Sequence, residues 1–311
     1  VIKNGLPKRM LPLAYFFAFA GMIGCLPAFQ SNQLIQITGD LAFSETENFN
    51  IFGGLALAAI TGIVVIGGLK RIAEVATFLV PLMGSIYFGA MIVALILNLN
   101  LVLPAFKLIL VDAFNGTAIA GGTFFGVLIY GVRRGAFSNE AGMGTESLVH
   151  GVAKVSNPVK QGLVAMTGPI FDTLIICTAT ALMILVSGVW ETSSSQGVTL
   201  TAEAFSILLG SFGGLILFVC VICFGLSTIF TYSYYGASCS RFLFGKFGMK
   251  FYIYLYILSI FIYSIVPIDI AINIADGAFA MMAIPTLISA LWLAPKVMQA
   301  SKNYFKLIDN N

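Results

Sequence analysis

The residues most able to do chemistry lie in one polar string, which reads Gly131-Val-Arg-Arg-Gly-Ala-Phe-Ser-Asn-Glu-Ala-Gly-Met-Gly144. Both of its flanks are apolar, and four glycines within it make a continuous helix doubtful. A break in a membrane helix frees backbone carbonyls and helix-end amides, which bind small cations and carboxylates. The alternative is a plain loop between two spans, but that loop would move five later bases to the other side of a membrane.

Two polar amides near the start of the chain form a second candidate. Gln30 and Asn32 belong to the segment Phe29-Gln-Ser-Asn-Gln33, near the end of an apolar run. Their side chains could bond a polar substrate, or they could join neighbouring helices by hydrogen bonds. The spacing leaves both interpretations open.

A third candidate is the hydroxyl-rich segment Phe224–Gly236. In a helix Ser227 lies on one broad face, while Thr228 and Tyr232 lie one turn apart on an adjacent face. Hydroxyl oxygens suit a hard, weakly bound cation such as sodium. The alternative is that these hydroxyls bond the carbonyls of the preceding turn, as is common in membrane helices.

Ionisable side chains inside apolar runs are functional candidates because burying a charge in lipid is costly. Asp172 and Asp276 are two such residues. Arg133 or Arg134 could pair with Glu140 or with either aspartate, and the sequence does not choose between these buried ion pairs. A membrane-embedded enzyme that used Glu140, Asp172, Asp276 or the single His150 is a competing class, but the absence of a His/Cys cluster in the sequence disfavours it.

The composition identifies the setting of these groups. Of the 311 residues, 59% are hydrophobic and 9% are charged, whereas a soluble domain has roughly 25% charged residues. These values exclude a soluble enzyme, a nucleic-acid binder and a disordered protein. They predict an all-α, polytopic protein in a lipid bilayer.

Eight apolar runs are long enough to be spans, and two amphipathic connectors lie between them. The runs are 10–37, 51–68, 72–97, 117–153 (interrupted), 162–189, 213–238, 251–266 and 268–293, and the connectors are 101–114 and 198–209. If the N-terminus is cytoplasmic, alternation leaves thirteen of the 16 bases on the cytoplasmic side. The pattern therefore predicts a multi-pass plasma (bacterial or archaeal inner) membrane protein with both termini in the cytoplasm.

The polar string closely resembles the signature of the alanine/glycine:cation symporter family. Supporting matches are Lys160–Met166, Phe224–Gly236, and Met281-Met-Ala-Ile-Pro285. The resemblance covers almost the whole chain and implies sodium-coupled symport of small neutral amino acids, with sodium as the co-transported ion. It also implies a five-plus-five inverted-repeat fold.

The same resemblance implies that part of the fold is missing. The family has an earlier Gly-Thr-Gly-Asn-like break that does not occur here, so the eight spans would be core helices three to ten. Residues 10–116 would form a partial first repeat, 117–295 the second repeat and 296–311 a cytoplasmic tail, all within one transmembrane domain. The resemblance thus implies an N-terminally truncated chain, either inactive alone or a half-transporter subunit; its oligomeric state stays open.

The resemblance also assigns site residues by position. The implied substrate contacts are Gln30, Asn32, Phe137, Ser138, Asn139, Thr228, Ile229 and Tyr232, and the implied sodium ligands are Ser227 and Thr228. The chain departs from the family at Tyr232, where tryptophan is usual. That change keeps an aromatic wall but adds a hydroxyl, which leaves the preference among alanine, glycine and D-amino acids open.

Overall fold

The computed structural model describes residues 2–42, 48–114 and 123–309, and all of the regular structure in these ranges is helical. This confirms the prediction of an all-helical polytopic architecture. The predicted start of the interrupted span at Thr117 and the boundary between repeats at 116/117 lie outside the described residues. The principal helices are α1 (Ile2–Gly5), α2 (Leu11–Gly24), α3 (Ala28–Ala42), α4 (Phe49–Val65), α5 (Gly68–Leu97), α6 (Leu99–Ala113), α7 (Thr123–Asn139), α8 (Glu146–His150), α9 (Pro158–Pro169), α10 (Thr178–Ser187), α11 (Val189–Thr192), α12 (Val198–Leu209), α13 (Ser211–Ile265) and α14 (Ile268–Asp309).

Five helical stretches within the described residues are long and apolar enough to cross a membrane: Lys8–Asp40, Gly68–Leu97, Pro158–Ser187, Ser211–Ile265 and Ile268–Ile308. Helix α4 has 17 residues, which is near the lower limit for a span. The two predicted connectors are also helices, α6 and α12. The structure thus has five long apolar helices in its described residues, whereas the sequence predicted eight apolar runs. One of the five helices contains two of those runs.

That helix is α13, whose 55 residues would extend about 80 Å as an uninterrupted helix. A bilayer core is only about 30 Å thick. Gly245 interrupts the helical backbone with φ +69° and ψ −156°, a conformation that glycine adopts without a Cβ clash. The break lies between the predicted runs 213–238 and 251–266, so it separates the helical segments that contain these two runs.

The first predicted run is one span by length but two helices in the structure. Helix α2 ends at Gly24 and α3 begins at Ala28, with Pro27 between them. Proline lacks an N–H and clashes with the preceding turn, which explains the kink. The side chains that follow Pro27 therefore point in directions that a straight helix would not give them.

The interrupted run has its break near the end of the polar string. Helix α7 continues through Gly131 and Gly135 and ends at Asn139. Glu140, Gly142 and Gly144 then have φ values of +55°, +81° and +89°. The left-handed backbone is unfavourable for glutamate, so the neighbouring structure must hold Glu140 in place.

The helix that follows the break contains a second irregularity. Between α9 and α10, residues Ile170–Cys177 form a π-helix. π-helical segments are rare, short and frequent at functional sites because they change the direction of side chains within a span. Nothing in the apolar pattern of the sequence predicts this segment.

The core forms around α13, which contacts α2, α3, α4, α5 and α12, while α14 packs on α2 and α3. Ile229, Tyr256 and Ile260 are fully buried there, and Tyr232 and Tyr252 are nearly so. Tyr252 donates a hydrogen bond to the carbonyl of Met22 at 2.8 Å. Helix α13 is thus the central support for the helices that pack around it.

Candidate functional site

A cavity of about 470 Å³ lies at the C-terminal end of α7. Its walls come from α3, α7, the π-helix, the start of α12 and the middle of α13. This volume falls within the usual range for small-molecule sites. Five of the predicted substrate contacts line it together: Gln30, Phe137, Ser138, Thr228 and Tyr232.

Asn139 is the last residue of α7. It does not line this cavity but forms hydrogen bonds at its edge. Its side-chain amide donates to the hydroxyl of Thr173 at 2.9 Å, and its carbonyl oxygen accepts from the backbone N–H of Ala141 at 2.9 Å. Asn139 therefore joins the end of α7 to the π-helix and to the break.

The structure places Asn32 and Ile229 away from the cavity. Asn32 donates to the backbone carbonyl of Val266 at 2.7 Å and lines a separate crevice with Gln36 and Asp40. Ile229 has no exposed surface and belongs to the core of α13. Substrate contact by either side chain stays a prediction.

The two predicted sodium ligands bond to their own helix. The hydroxyls of Ser227 and Thr228 both donate to the carbonyl of Phe224, at 2.9 and 3.0 Å. This is the alternative that the sequence left open for hydroxyls in a span. Each hydroxyl oxygen keeps its acceptor lone pairs, so cation binding stays a prediction that this geometry permits.

The structure resolves the pairing of the ionisable groups around the break. Asp276 on α14 forms an ion pair with Arg134 and lies 3.8 Å from Arg133. The Arg134 guanidinium also lies 5.4 and 5.5 Å from the rings of Tyr130 and Phe137. Both candidate arginines are thereby directed to one aspartate.

The other two acids accept hydrogen bonds from neutral hydroxyls instead of forming salt bridges with arginine. The Tyr232 hydroxyl donates to Glu140 Oε1 at 2.5 Å, and the Ser138 hydroxyl donates to Asp172 Oδ2 at 2.5 Å. Both acids line the cavity. The cavity therefore has two carboxyl groups in its wall, next to the arginine that pairs with Asp276.

Several lining residues escaped the sequence analysis. Gln33 lies one helical turn after Gln30, a spacing that could have identified it. Its carbonyl oxygen accepts from the backbone N–H of Val198 at 3.2 Å, which brings the start of α12 to the cavity. Helix α12 was interpreted only as a connector, so Val198 and Thr201 carried no signal in the sequence.

The polar break, its cavity and the helical architecture agree with the result of family comparison. The profile of the sodium:alanine symporter family matches residues 1–311, and the chain belongs to that family. Membership makes it a multi-pass membrane protein of a transporter family, not an enzyme. The resemblance drawn from the polar string is confirmed.

Individual relatives support the same family. The chain is 36% identical to the uncharacterized transporter YflA of Bacillus subtilis, over 98% of this chain and 65% of that protein. It is 34% identical to the sodium/alanine symporter AgcS of Methanococcus maripaludis, over 99% of this chain and 69% of that protein. It is 32% identical to the probable sodium/glutamine symporter GlnT of Bacillus subtilis, over 97% of this chain and 63% of that protein. The chain thus spans about two thirds of the length of these relatives.

Proposed function

We propose that this chain takes part in sodium-coupled symport of small neutral amino acids, with alanine and glycine as the first candidates, across the plasma membrane. The observation that supports this most directly is the cavity at the end of α7. There five side chains of the predicted substrate site meet although they come from three separate helices. A relative named as a sodium/alanine symporter supports the choice of substrate.

In the proposed site, Gln30, Asn32, Phe137, Ser138, Asn139, Thr228, Ile229 and Tyr232 form the substrate-binding set. Ser227 and Thr228 supply oxygen atoms to sodium, and the other sodium ligands come from a part of the fold outside this chain. Asn32 and Ile229 would require a rearrangement of α3 or α13 to reach the substrate.

The charges around the break also favour a bound cation. Arg133 and Arg134 both pair with Asp276, whereas Glu140 and Asp172 form no salt bridge among the described residues. An uncompensated charge is costly in a membrane interior. A zwitterionic amino acid brings no net charge, so an accompanying sodium ion would neutralise the site.

We further propose that the chain has the five-plus-five inverted-repeat fold without its first two core helices. Residues 10–116 then form the partial first repeat and 117–295 the second, and 296–311 form the cytoplasmic tail, which begins as a continuation of α14. Eight spans and cytoplasmic termini follow from the distribution of the bases.

A second candidate function is that of a half-transporter or non-transporting remnant that needs a separate N-terminal part. The surface of α7 favours this candidate. Val127, Ile129 and Val132 are 67%, 57% and 65% exposed on a helix that bears the polar string. A further pair of helices would have an apolar face to pack on, although lipid would also cover it.

Uptake of labelled alanine into proteoliposomes tests both candidates. One arm uses the 311-residue chain, and the other uses the chain joined to the N-terminal portion of the Methanococcus maripaludis relative. Sodium-dependent uptake in the first arm supports the symporter proposal, whereas uptake in the second arm alone supports the half-transporter. Uptake in neither arm identifies a remnant, and sodium-independent uptake refutes sodium coupling.

Two variants then test the site in whichever arm is active. Thr228→Ala should raise the sodium concentration for half-maximal uptake, and Asn139→Ala should reduce uptake because it frees the end of α7 from the π-helix. Thr77→Ala is the matched control, since the Thr77 hydroxyl donates to the carbonyl of Ala73 on the exposed surface of α5. Unchanged uptake in both test variants would refute the site assignment.

A further inference from the structure

We infer that Asp172 binds the ammonium group of the transported amino acid. This inference rests on the proposed symport function and adds a specificity-determining residue to the cavity. The sequence suggested Asp172 only as a relay or as the partner of a buried arginine. Its surroundings in the structure indicate a different role.

The carboxylate of Asp172 lies in the cavity wall, opposite residues of α3 and α13. It accepts hydrogen bonds from the hydroxyls of Ser138 at 2.5 Å and Thr173 at 3.3 Å. Both bonds reach Oδ2. Within the described part of the chain, Oδ1 therefore retains its capacity to accept hydrogen bonds.

Asp172 also lacks a cationic partner among the described residues. Arg133 and Arg134 are both directed to Asp276 on α14, and Arg134, which also lines this cavity, forms no salt bridge with Asp172. Hydrogen bonds from neutral hydroxyls satisfy lone pairs but do not neutralise the charge. A carboxylate in a cavity within the membrane is stabilised when a ligand brings a positive charge to it.

The backbone near Asp172 fixes the position of its carboxylate. Asp172 lies in the π-helix, and the last turn of α7 is bonded to that segment at two neighbouring positions. Ser138 bonds Asp172, and Asn139 bonds Thr173 at 2.9 Å. The two segments hold each other, so the carboxylate is pre-positioned at the end of the broken helix.

An ammonium group fits this position better than the co-transported sodium ion does. Ammonium carries three donors and can donate to Oδ1 without displacing the Ser138 hydroxyl. Sodium requires several oxygen ligands, and the hydroxyls proposed for it, at Ser227 and Thr228, lie on α13. Glu140 is the competing acceptor for the ammonium, because the nearly buried hydroxyl of Tyr232 bonds only its Oε1.

The test measures binding to the purified protein in detergent with sodium present, both for the 311-residue chain and for the chain joined to the N-terminal portion of the Methanococcus maripaludis relative. The probes are labelled L-alanine and, as a competitor, L-lactate, which has the same methyl and carboxylate groups but a hydroxyl in place of the ammonium. Asp172→Asn keeps the shape of the side chain and its ability to accept from Ser138, and removes the charge. Asp40→Asn is the matched control, because the carboxylate of Asp40 accepts from the Thr199 hydroxyl at 2.7 Å but lies outside this cavity.

Asp172→Asn should weaken alanine binding by about tenfold to a hundredfold, the range expected for loss of a hydrogen bond to a charged group. Lactate binding should change by less than threefold, so that discrimination between the two ligands falls. Asp40→Asn should leave both affinities unchanged, and Asp172→Glu should recover part of the alanine affinity. Gel filtration and circular dichroism check that each variant is folded.

The remaining outcomes contradict the inference in distinguishable ways. If neither unaltered protein binds alanine, the proposed site fails and the inference fails with it. If the unaltered chain binds alanine and Asp172→Asn binds it within threefold as tightly, the inference alone is refuted. A raised sodium requirement with unchanged discrimination against lactate would assign the carboxylate to sodium, and a loss of discrimination in Glu140→Gln alone would assign the ammonium to Glu140.

Discussion

The hydrogen bond between Tyr232 and Glu140 offers a measurable test of how the break is held. Tyr232 is 4% exposed, and its hydroxyl donates to Glu140 Oε1 at 2.5 Å. Glu140 has the unfavourable φ of +55°, so the interactions that hold its side chain also hold the strained backbone of the break. Tyr232→Phe removes the donor and leaves the aromatic ring in place.

The expected cost follows from the charge of the acceptor. A hydrogen bond to an ionised group contributes about 1.5–3 kcal/mol, whereas one between neutral groups contributes about 1 kcal/mol. Tyr256 supplies the comparison, because its fully buried hydroxyl donates to the backbone carbonyl of Ile229 at 2.6 Å. Tyr232→Phe should therefore lower the free energy of unfolding by about 1 kcal/mol more than Tyr256→Phe does.

Equilibrium unfolding in mixed micelles, followed by circular dichroism, measures both variants. A double-mutant cycle that combines Tyr232→Phe with Glu140→Gln isolates the pair, and we expect a coupling energy of at least about 1 kcal/mol. A loss for Tyr232→Phe that is no larger than that for Tyr256→Phe would refute the reasoning, because it would mean that Glu140 is not an ionised acceptor. A coupling energy near zero would refute the contact itself.

Two further predictions concern the supports of the site, each measured by thermal unfolding in detergent. Asp276→Asn should destabilise the protein by about 1–2 kcal/mol, which is less than the loss of a fully buried ion pair would cost, because the arginines are partly exposed. The control variant Glu74→Gln removes an exposed ion pair in which Lys70 and Glu74 lie 3.9 Å apart, and it should change stability little. Equal effects would show that the Asp276 pair is not structural. Gly236→Ala should cost about 1–3 kcal/mol because its Cβ would overlap the Tyr252 hydroxyl oxygen. Gly84→Ala, in open space within α5, should instead be neutral or stabilising, and a tolerated Gly236→Ala would contradict the tight packing of α13.

The spanning helices were predictable from the sequence, because they follow from the lengths of the apolar runs. Long apolar runs and sparse charges predict spanning helices because backbone groups in lipid must bond within their own segment. The break after Asn139 was predictable for a related reason, since four glycines and several polar residues disfavour a continuous apolar helix. The break at Gly245 was anticipated only as a gap between two runs.

The details of the site depend on contacts between helices, which a single sequence does not specify. The choice of Asp276 as partner for both arginines depends on the position of α14 relative to α7, and the sequence offered three acids without ranking them. The π-helix and the approach of Val198 to Gln33 likewise have no local signature. Five of the predicted site residues meet in one cavity because the family motif carries information about tertiary structure that spacing alone does not.

The π-helix at Ile170–Cys177 has a consequence for insertions and deletions in this span. A π turn holds more residues than an α turn, so the segment accommodates extra chain length between α9 and α10 without unfolding either. Deleting one residue there would let the segment return to α geometry and keep the span hydrophobic. The deletion would also rotate Asp172 about the helix axis, away from Ser138. A chain altered in this way would insert and fold as a span, yet it would present a different face of the helix to the cavity.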